Sequence, residues 1–277
     1  MKFNYKNIWA ALVAIVMLSS CTSSDDEVLK IEKDEKGTME WFFDHTLMGD
    51  KMLLDVAART NGNGERLTIK RFNYIVSNIV LIDENGASFT YPKDESYFII
   101  NSEKEEFVVQ LKNIPAGNYT KVKFGLGVDQ SKYLRGEEEQ QELWDLAATH
   151  NMTWSWITGY KFFNMEGTFT SNKVEGSPRF SLHIGSHGTN LDNYKEVEIN
   201  LPSIARVRET IKPSVHFMVD ANKLIDGEHK IILSEAMNPA GTAASIMVNA
   251  VKAPKIMENA TKMFHVDHVH NDGQSHE

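Results

Sequence analysis

From about Gly37 onward the sequence alternates short apolar or β-branched runs with turn residues, and that rhythm constrains the fold more than any other feature. Residues 67–83 (LTIKRFNYIVSNIVLID) are rich in Ile, Val, Phe and Tyr. They end at Glu84-Asn85-Gly86, a hairpin signal, because Asn-Gly takes the positive φ values that tight turns between twisted strands need. The runs Phe107–Leu111 and Tyr119–Leu126 flank Ile114-Pro115-Ala116-Gly117, where Gly117 is suited to a positive φ. Further strands are expected over Trp154–Met165, Arg179–Ile184, Lys195–Leu201 and Val215–Val219, so that the core strands precede Phe264. Two stretches read as helix. Glu137–His150 has acids in its first turn and Leu143, Leu146 and Ala147 at helical spacing; Ala243–Ala250 is the second. Strands at this density, with so little helix between them, exclude βαβ units and imply an all-β domain: a β-sandwich with one short helical excursion.

The N-terminus carries a different signal. Lys2 and Lys6 precede an apolar run from Ile8 to Leu18, and Ser19 and Ser20 precede Cys21. Basic, apolar and then small is the layout of a secretory signal. The apolar run is well short of the roughly 20 residues that span a bilayer as a helix. Leu18-Ser19-Ser20-Cys21 resembles the bacterial lipobox, in which cleavage leaves an acylated cysteine at the new N-terminus. The chain therefore divides into a lipoprotein signal peptide at 1–20, an acidic tether at 21–37 and one β domain at 38–277. The expected product is an outer-membrane lipoprotein, facing periplasm or cell surface, held to the membrane through Cys21. Ser23-Ser24-Asp25-Asp26-Glu27 suits a solvated tether, and it also resembles the acidic tract that directs some lipoproteins to the outer face.

Cys21 is the only cysteine of the 277 residues. Its use as an anchor excludes disulfides, thiolate zinc sites, a cysteine nucleophile, iron–sulfur clusters and covalent haem. A formal net charge of −9 argues against nucleic acid as a partner. The chain contains no His-Glu-x-x-His and no Gly-x-Ser-x-Gly, so it is not expected to be an enzyme.

What remains is histidine and aromatic chemistry. His265, His268, His270 and His276 lie in the last thirteen residues. In an extended segment, residues two apart face the same way, so His268 and His270 would present two imidazoles together. Phe264, Val266 and Val269 would hold that segment on the domain, and Asp267 is placed to accept the second N–H of a ligating imidazole. His183 and His187 lie in RFSLHIGSHG, and His45 follows Trp41-Phe42-Phe43-Asp44. Several imidazoles without a thiolate suit copper, or zinc. We take His268 and His270 as ligands, with His45 and His183 brought to them by folding. Met152–Tyr160 is dense in aromatic residues. As a strand it would line up Trp154, Trp156, Tyr160 and Phe162 as sandwich core, as a platform for a glycan or protein ligand, or beside a redox metal.

These segments, in order, carry a family resemblance. Phe72 to Leu81 (FNYIVSNIVL), Ile114-Pro115-Ala116-Gly117-Asn118-Tyr119 and Phe124-Gly125-Leu126-Gly127-Val128-Asp129 come first. Then follow Met152 to Gly167, Leu182-His183-Ile184-Gly185 and Val266 to Asn271. Together they resemble the MbnP-like proteins, copper-binding proteins of the periplasm or cell surface related to the methanobactin-associated protein. The resemblance covers about residues 38 to 272. It implies a β-sandwich that binds copper through histidines for acquisition, storage or handover. In some relatives it also implies a tryptophan near the metal, here Trp154 or Trp156, oxidised to kynurenine by a di-haem c-type cytochrome partner of the peroxidase kind. The absence of a haem-binding cysteine pair leaves the haem to that partner.

Overall fold

The computed structural model describes residues 30–155, 157 and 159–271. The signal at 1–20, Cys21, Trp156 and His276 lie outside the described residues. Among those described, no helix is long and apolar enough to cross a membrane.

The all-β expectation holds. The strands in chain order are β1 (Lys36–Leu47), β2 (Asp50–Lys51), β3 (Ala57–Thr60), β4 (Glu65–Asp83), β5 (Ser88–Thr90), β6 (Tyr97–Asn101) and β7 (Val108–Pro115). They continue as β8 (Gly117–Leu126), β9 (Phe163–Ser171), β10 (Arg179–Ile184), β11 (Lys195–Val207), β12 (Ser214–Asp220), β13 (Ala243–Met247) and β14 (Phe264–His270). One sheet runs β14-β12-β1-β2, with β7 also on β1. The other runs β11-β8-β4-β9-β10-β13, with β3, β5 and β6 along β4.

The core is aromatic and lies between these sheets. On β1, period-two alternation buries Met39, Trp41, Phe43 and His45 and leaves Phe42 and Asp44 only partly covered. Phe43 stacks on Phe217 of β12 at 4.9 Å, and both Trp41 and Phe264 of β14 meet Phe124 of β8 edge-on, at 5.7 and 5.3 Å. Phe43 also meets Tyr74 of β4, which stacks on Phe163 of β9. β4 serves two neighbours in turn: its first half pairs with β9, its second with β8. The pairing slips between Ser77 and Val80, where Asn78 takes φ 48°, a left-handed conformation that Asn tolerates.

Four local expectations are corrected. Ala243–Ala250 is not a helix: β13 pairs in parallel with β10, burying Ala244 and Ile246 alternately, and the helix follows at Lys252–Ala260. Strand structure begins at Phe163, not Trp154; the described residues from Met152 to Phe162 lie outside the strands and are pinned by the Thr153↔Tyr160 bridge. The positive φ near the β7–β8 turn falls on Asn113 (57°) and not on Gly117. Finally, the core strands do not end before Phe264, because β14 is itself a strand of the first sheet and Phe264 is core. The Glu137–His150 helix does form, as a short 3-10 turn followed by Gln141–Thr149, with Leu143 and Ala147 buried.

Candidate metal centre

The four histidines chosen from the sequence do not meet at one point. Two of them share a face as period two requires: His268 and His270 both lie on β14, with ring centroids 4.5 Å apart. Their neighbour is His216 of β12, which stands opposite His268 in the antiparallel register. His216 Nδ1 lies 3.1 Å from His268 Nε2. Asp267 Oδ2 accepts from His268 Nδ1 at 2.7 Å, and that bond holds the Asp267 carboxyl below the usual carboxylate range. Among the described residues, His216, Asp267 and His268 form a group of donor atoms within 4.8 Å of one another.

His45 belongs elsewhere. It sits on the inner face of β1, 5% exposed, against Phe72, Tyr74 and Phe107. Its Nε2 lies 3.1 Å from the Tyr74 hydroxyl, and its Nδ1 is buried with no hydrogen-bond partner among the described residues. Burial pushes its pKa down to about 3, so the ring is neutral across the physiological range. It also lines a cleft of about 380 Å³ with Met52, Glu103, Glu105 and Phe107.

His183 lies on β10, in the other sheet, and takes part in a third arrangement. Its Nε2 is 2.6 Å from Glu166 Oε1 of β9, whose other oxygen accepts from Arg71 Nη1 at 2.8 Å. The His183 bond, with Arg71 beside it, holds Glu166 below the usual carboxylate range. The buried Trp154 indole lies edge-on to His183, ring centroids 5.8 Å apart, and tilted against His187 at 5.6 Å. Trp154 Nε1 donates to the Tyr160 carbonyl, which sits so close over Gly185, just past the end of β10, that any Cβ there would overlap it. This backbone approach accounts for the glycine in Leu182-His183-Ile184-Gly185.

His187 is the unusual member. Both of its ring nitrogens are buried without a hydrogen-bond partner among the described residues, and burial lowers its pKa. An unsatisfied buried polar atom costs about 1–3 kcal/mol, so such a pair calls for a ligand. Glu166 holds one nitrogen of His183, which sets the tautomer and leaves the other nitrogen as the donor to an ion. The Trp154 indole packs against both imidazoles, and among the described residues Glu166 is the carboxylate bonded to His183.

His187 was visible in the sequence but carried no signal beyond a Gly-rich turn; its orphaned nitrogens appear only in three dimensions. His216 was missed because alternation shows that it faces outward in β12 but not which strand lies beside it. Trp154, Tyr160 and Phe162 are buried, 5%, 1% and 1% exposed, and cannot form a surface platform for a glycan. His150 is structural: it caps the Gln141–Thr149 helix, bonded to the Leu146 carbonyl at 2.7 Å and to Glu106 at 2.7 Å.

The family model MbnP matches residues 36–247. No curated protein matches the chain. Among solved structures, MbnP from Methylosinus trichosporium aligns with a TM-score of 0.44 at 12% identity, covering 77% of this chain and 82% of that one.

Proposed function

Since the chain belongs to the MbnP family, we propose that it is a non-catalytic copper-binding protein, used for acquisition, storage or handover, and that His183 and His187 hold the ion beside Trp154. The observation that carries this reading is His187, whose two buried ring nitrogens have no partner among the described residues while its ring packs on Trp154. The donor set fits copper. Imidazoles in a largely buried setting, without thiolate, suit it among the first-row metals, and burial lowers the pKa of His187, which favours the unprotonated ring that binds an ion. Bound there, copper would bring redox chemistry within reach of the indole. Glu166 would orient His183 and raise its basicity.

The family resemblance adds two further elements to the proposal. Trp154, which touches both imidazoles, is our choice for a tryptophan oxidised to kynurenine by a di-haem cytochrome partner. Cys21 is our choice for a lipid anchor to the outer membrane. Replacing Cys21 by Ser should release soluble protein and abolish acyl labelling; continued fractionation with membranes at high salt would remove the anchor from the proposal.

The decisive experiment is metal analysis of the protein isolated from its own export compartment, with intact-mass measurement. Bound copper that is lost in His183→Ala and His187→Ala supports the reading, and a mass increment that disappears in Trp154→Phe supports the modified residue. Wild-type copper content in both histidine variants would move the site elsewhere.

A further inference from the structure

The cluster on the outer face of the first sheet is not part of the Trp154 site. It is built from β12 and β14, and β14 lies beyond the residues that match the family. We propose that His216, His268 and Asp267, with His270 beside them, form a second site, for a divalent transition-metal ion of the Cu(II) or Zn(II) class.

Phe217 pairs with Val266 and His216 with His268, so Asp267 is the extra residue of a β-bulge. In a regular strand Asp267 and His268 would face opposite sides of the sheet. The bulge removes that constraint and leaves the Asp267 carboxylate 2.7 Å from the adjacent His268 ring. Bulges re-aim side chains in this way at functional edges.

An ion bound by two imidazole nitrogens at about 2.0–2.1 Å, with an angle of about 90–110° between the bonds, requires the nitrogens to lie about 2.8–3.4 Å apart. His216 Nδ1 and His268 Nε2 lie 3.1 Å apart. An ion can therefore take the place of the proton shared between these rings with little movement of either strand.

His268 Nδ1 faces Asp267, and His216 Nε2 lies 3.8 Å from Asp44 Oδ2 of β1. The Asp267 carboxylate keeps a proton on the outer nitrogen of His268 and turns its inner nitrogen toward His216, the support that metal-binding imidazoles receive, while Asp44 adds a negative charge near the outer nitrogen of His216. The edge of the Phe42 ring, 5.0 Å from His216, closes one side, while His268 and Asp267 stay open to solvent. His270 lies beside this group, its ring 4.5 Å from that of His268. Imidazole with carboxylate, water-accessible and without sulfur, favours Cu(II) and Zn(II) over softer ions. This site is thus chemically different from the buried one beside Trp154, and it does not depend on the copper reading.

The test uses the full chain carrying His183→Ala and His187→Leu, so that the inner site is absent, titrated with Zn(II) by calorimetry and with Cu(II) by electron paramagnetic resonance. One equivalent should bind, with a Cu(II) spectrum showing nitrogen coupling. Asp267→Asn should weaken Zn(II) binding about 10- to 100-fold, and His216→Ala should weaken it more. His265→Ala, on the same strand, should leave it unchanged. Should His216→Ala fail to fold, Asp267→Asn on the exposed bulge still decides the matter. Zn(II) binding that is unaltered in Asp267→Asn, or absent already when only His183 and His187 are replaced, would show the His216–His268 contact to be a hydrogen bond of the sheet and nothing more.

Discussion

Glu166 Oε1 lies 2.6 Å from His183 Nε2, and the same carboxylate is tied to Arg71. One nitrogen of His183 is thereby committed, and an ion has to approach from the other. Removing the charge of Glu166 while keeping its shape should loosen that tautomer without unfolding the sheet. Glu166→Gln is expected to lower copper affinity about 10- to 100-fold, read by competition with a chromogenic chelator, with the far-ultraviolet spectrum unchanged. Wild-type affinity in this variant would mean that His183 does not bind through its other nitrogen.

His187 supplies the opposite kind of prediction. In the metal-free protein its two unpartnered nitrogens are a cost, of about 1–3 kcal/mol for each group left unsatisfied. His187→Leu fills similar space without polar atoms. The metal-free variant should therefore unfold at the same denaturant concentration as wild type or a higher one, while copper no longer stabilises it. A clear loss of stability in the metal-free state would show that the His187 ring has partners in the fold that it keeps.

His45 should be visible in the pH dependence of folding. Burial pushes its pKa down to about 3, whereas in the unfolded chain it titrates near ~6.5. Between those values the unfolded state binds a proton that the native state does not. The stability that neutral His45 permits is complete above ~6.5 and falls by about 1.4 kcal/mol per pH unit as pH drops toward the lower value. His45→Gln, which keeps a polar partner for Tyr74, lacks this term. Denaturation at pH 7, 6 and 5 should show wild type losing its advantage over the variant step by step; parallel curves would mean that the ring is protonated in the native state.

Much of this was legible in the sequence, for reasons that differ by element. Runs such as 67–83 declare themselves because β-branched and aromatic residues bounded by Asn-Gly have few alternatives. The same-face placement of His268 and His270 follows from the two-residue period alone. The misreadings arise where tertiary pairing outweighs local preference. Ala243 and Ala244 favour helix intrinsically, yet the segment is a strand because β10 offers it a parallel edge and a buried seat for Ile246. The aromatic stretch 152–162 has the composition of a strand, but its buried rings Trp154, Tyr160 and Phe162 lie outside the strands. The His216–His268 pair joins residues 52 apart in sequence, and the bulge that turns Asp267 toward it has no local signature.

The last prediction concerns β14 itself, because its role decides how the histidine face can be studied. The sequence suggests a segment that could be removed after Phe264 with the sandwich intact, but Phe264 is 8% exposed and packs edge-on against Phe124, Tyr74 and Phe43. Val266 and Val269 also lie against the core, and the strand covers the edge of β12. Phe264→Ala should cost about 3–5 kcal/mol, the usual range for a buried phenylalanine. Deleting residues 264–277 should do worse: it removes those contacts and leaves the β12 edge unpaired, an invitation to aggregation. Thermal unfolding with light scattering distinguishes the outcomes. A truncated protein that melts cooperatively near the wild-type temperature and stays monomeric would show that β14 is an appendage; otherwise metal binding at His268 and His270 has to be dissected by single substitutions, never by truncation.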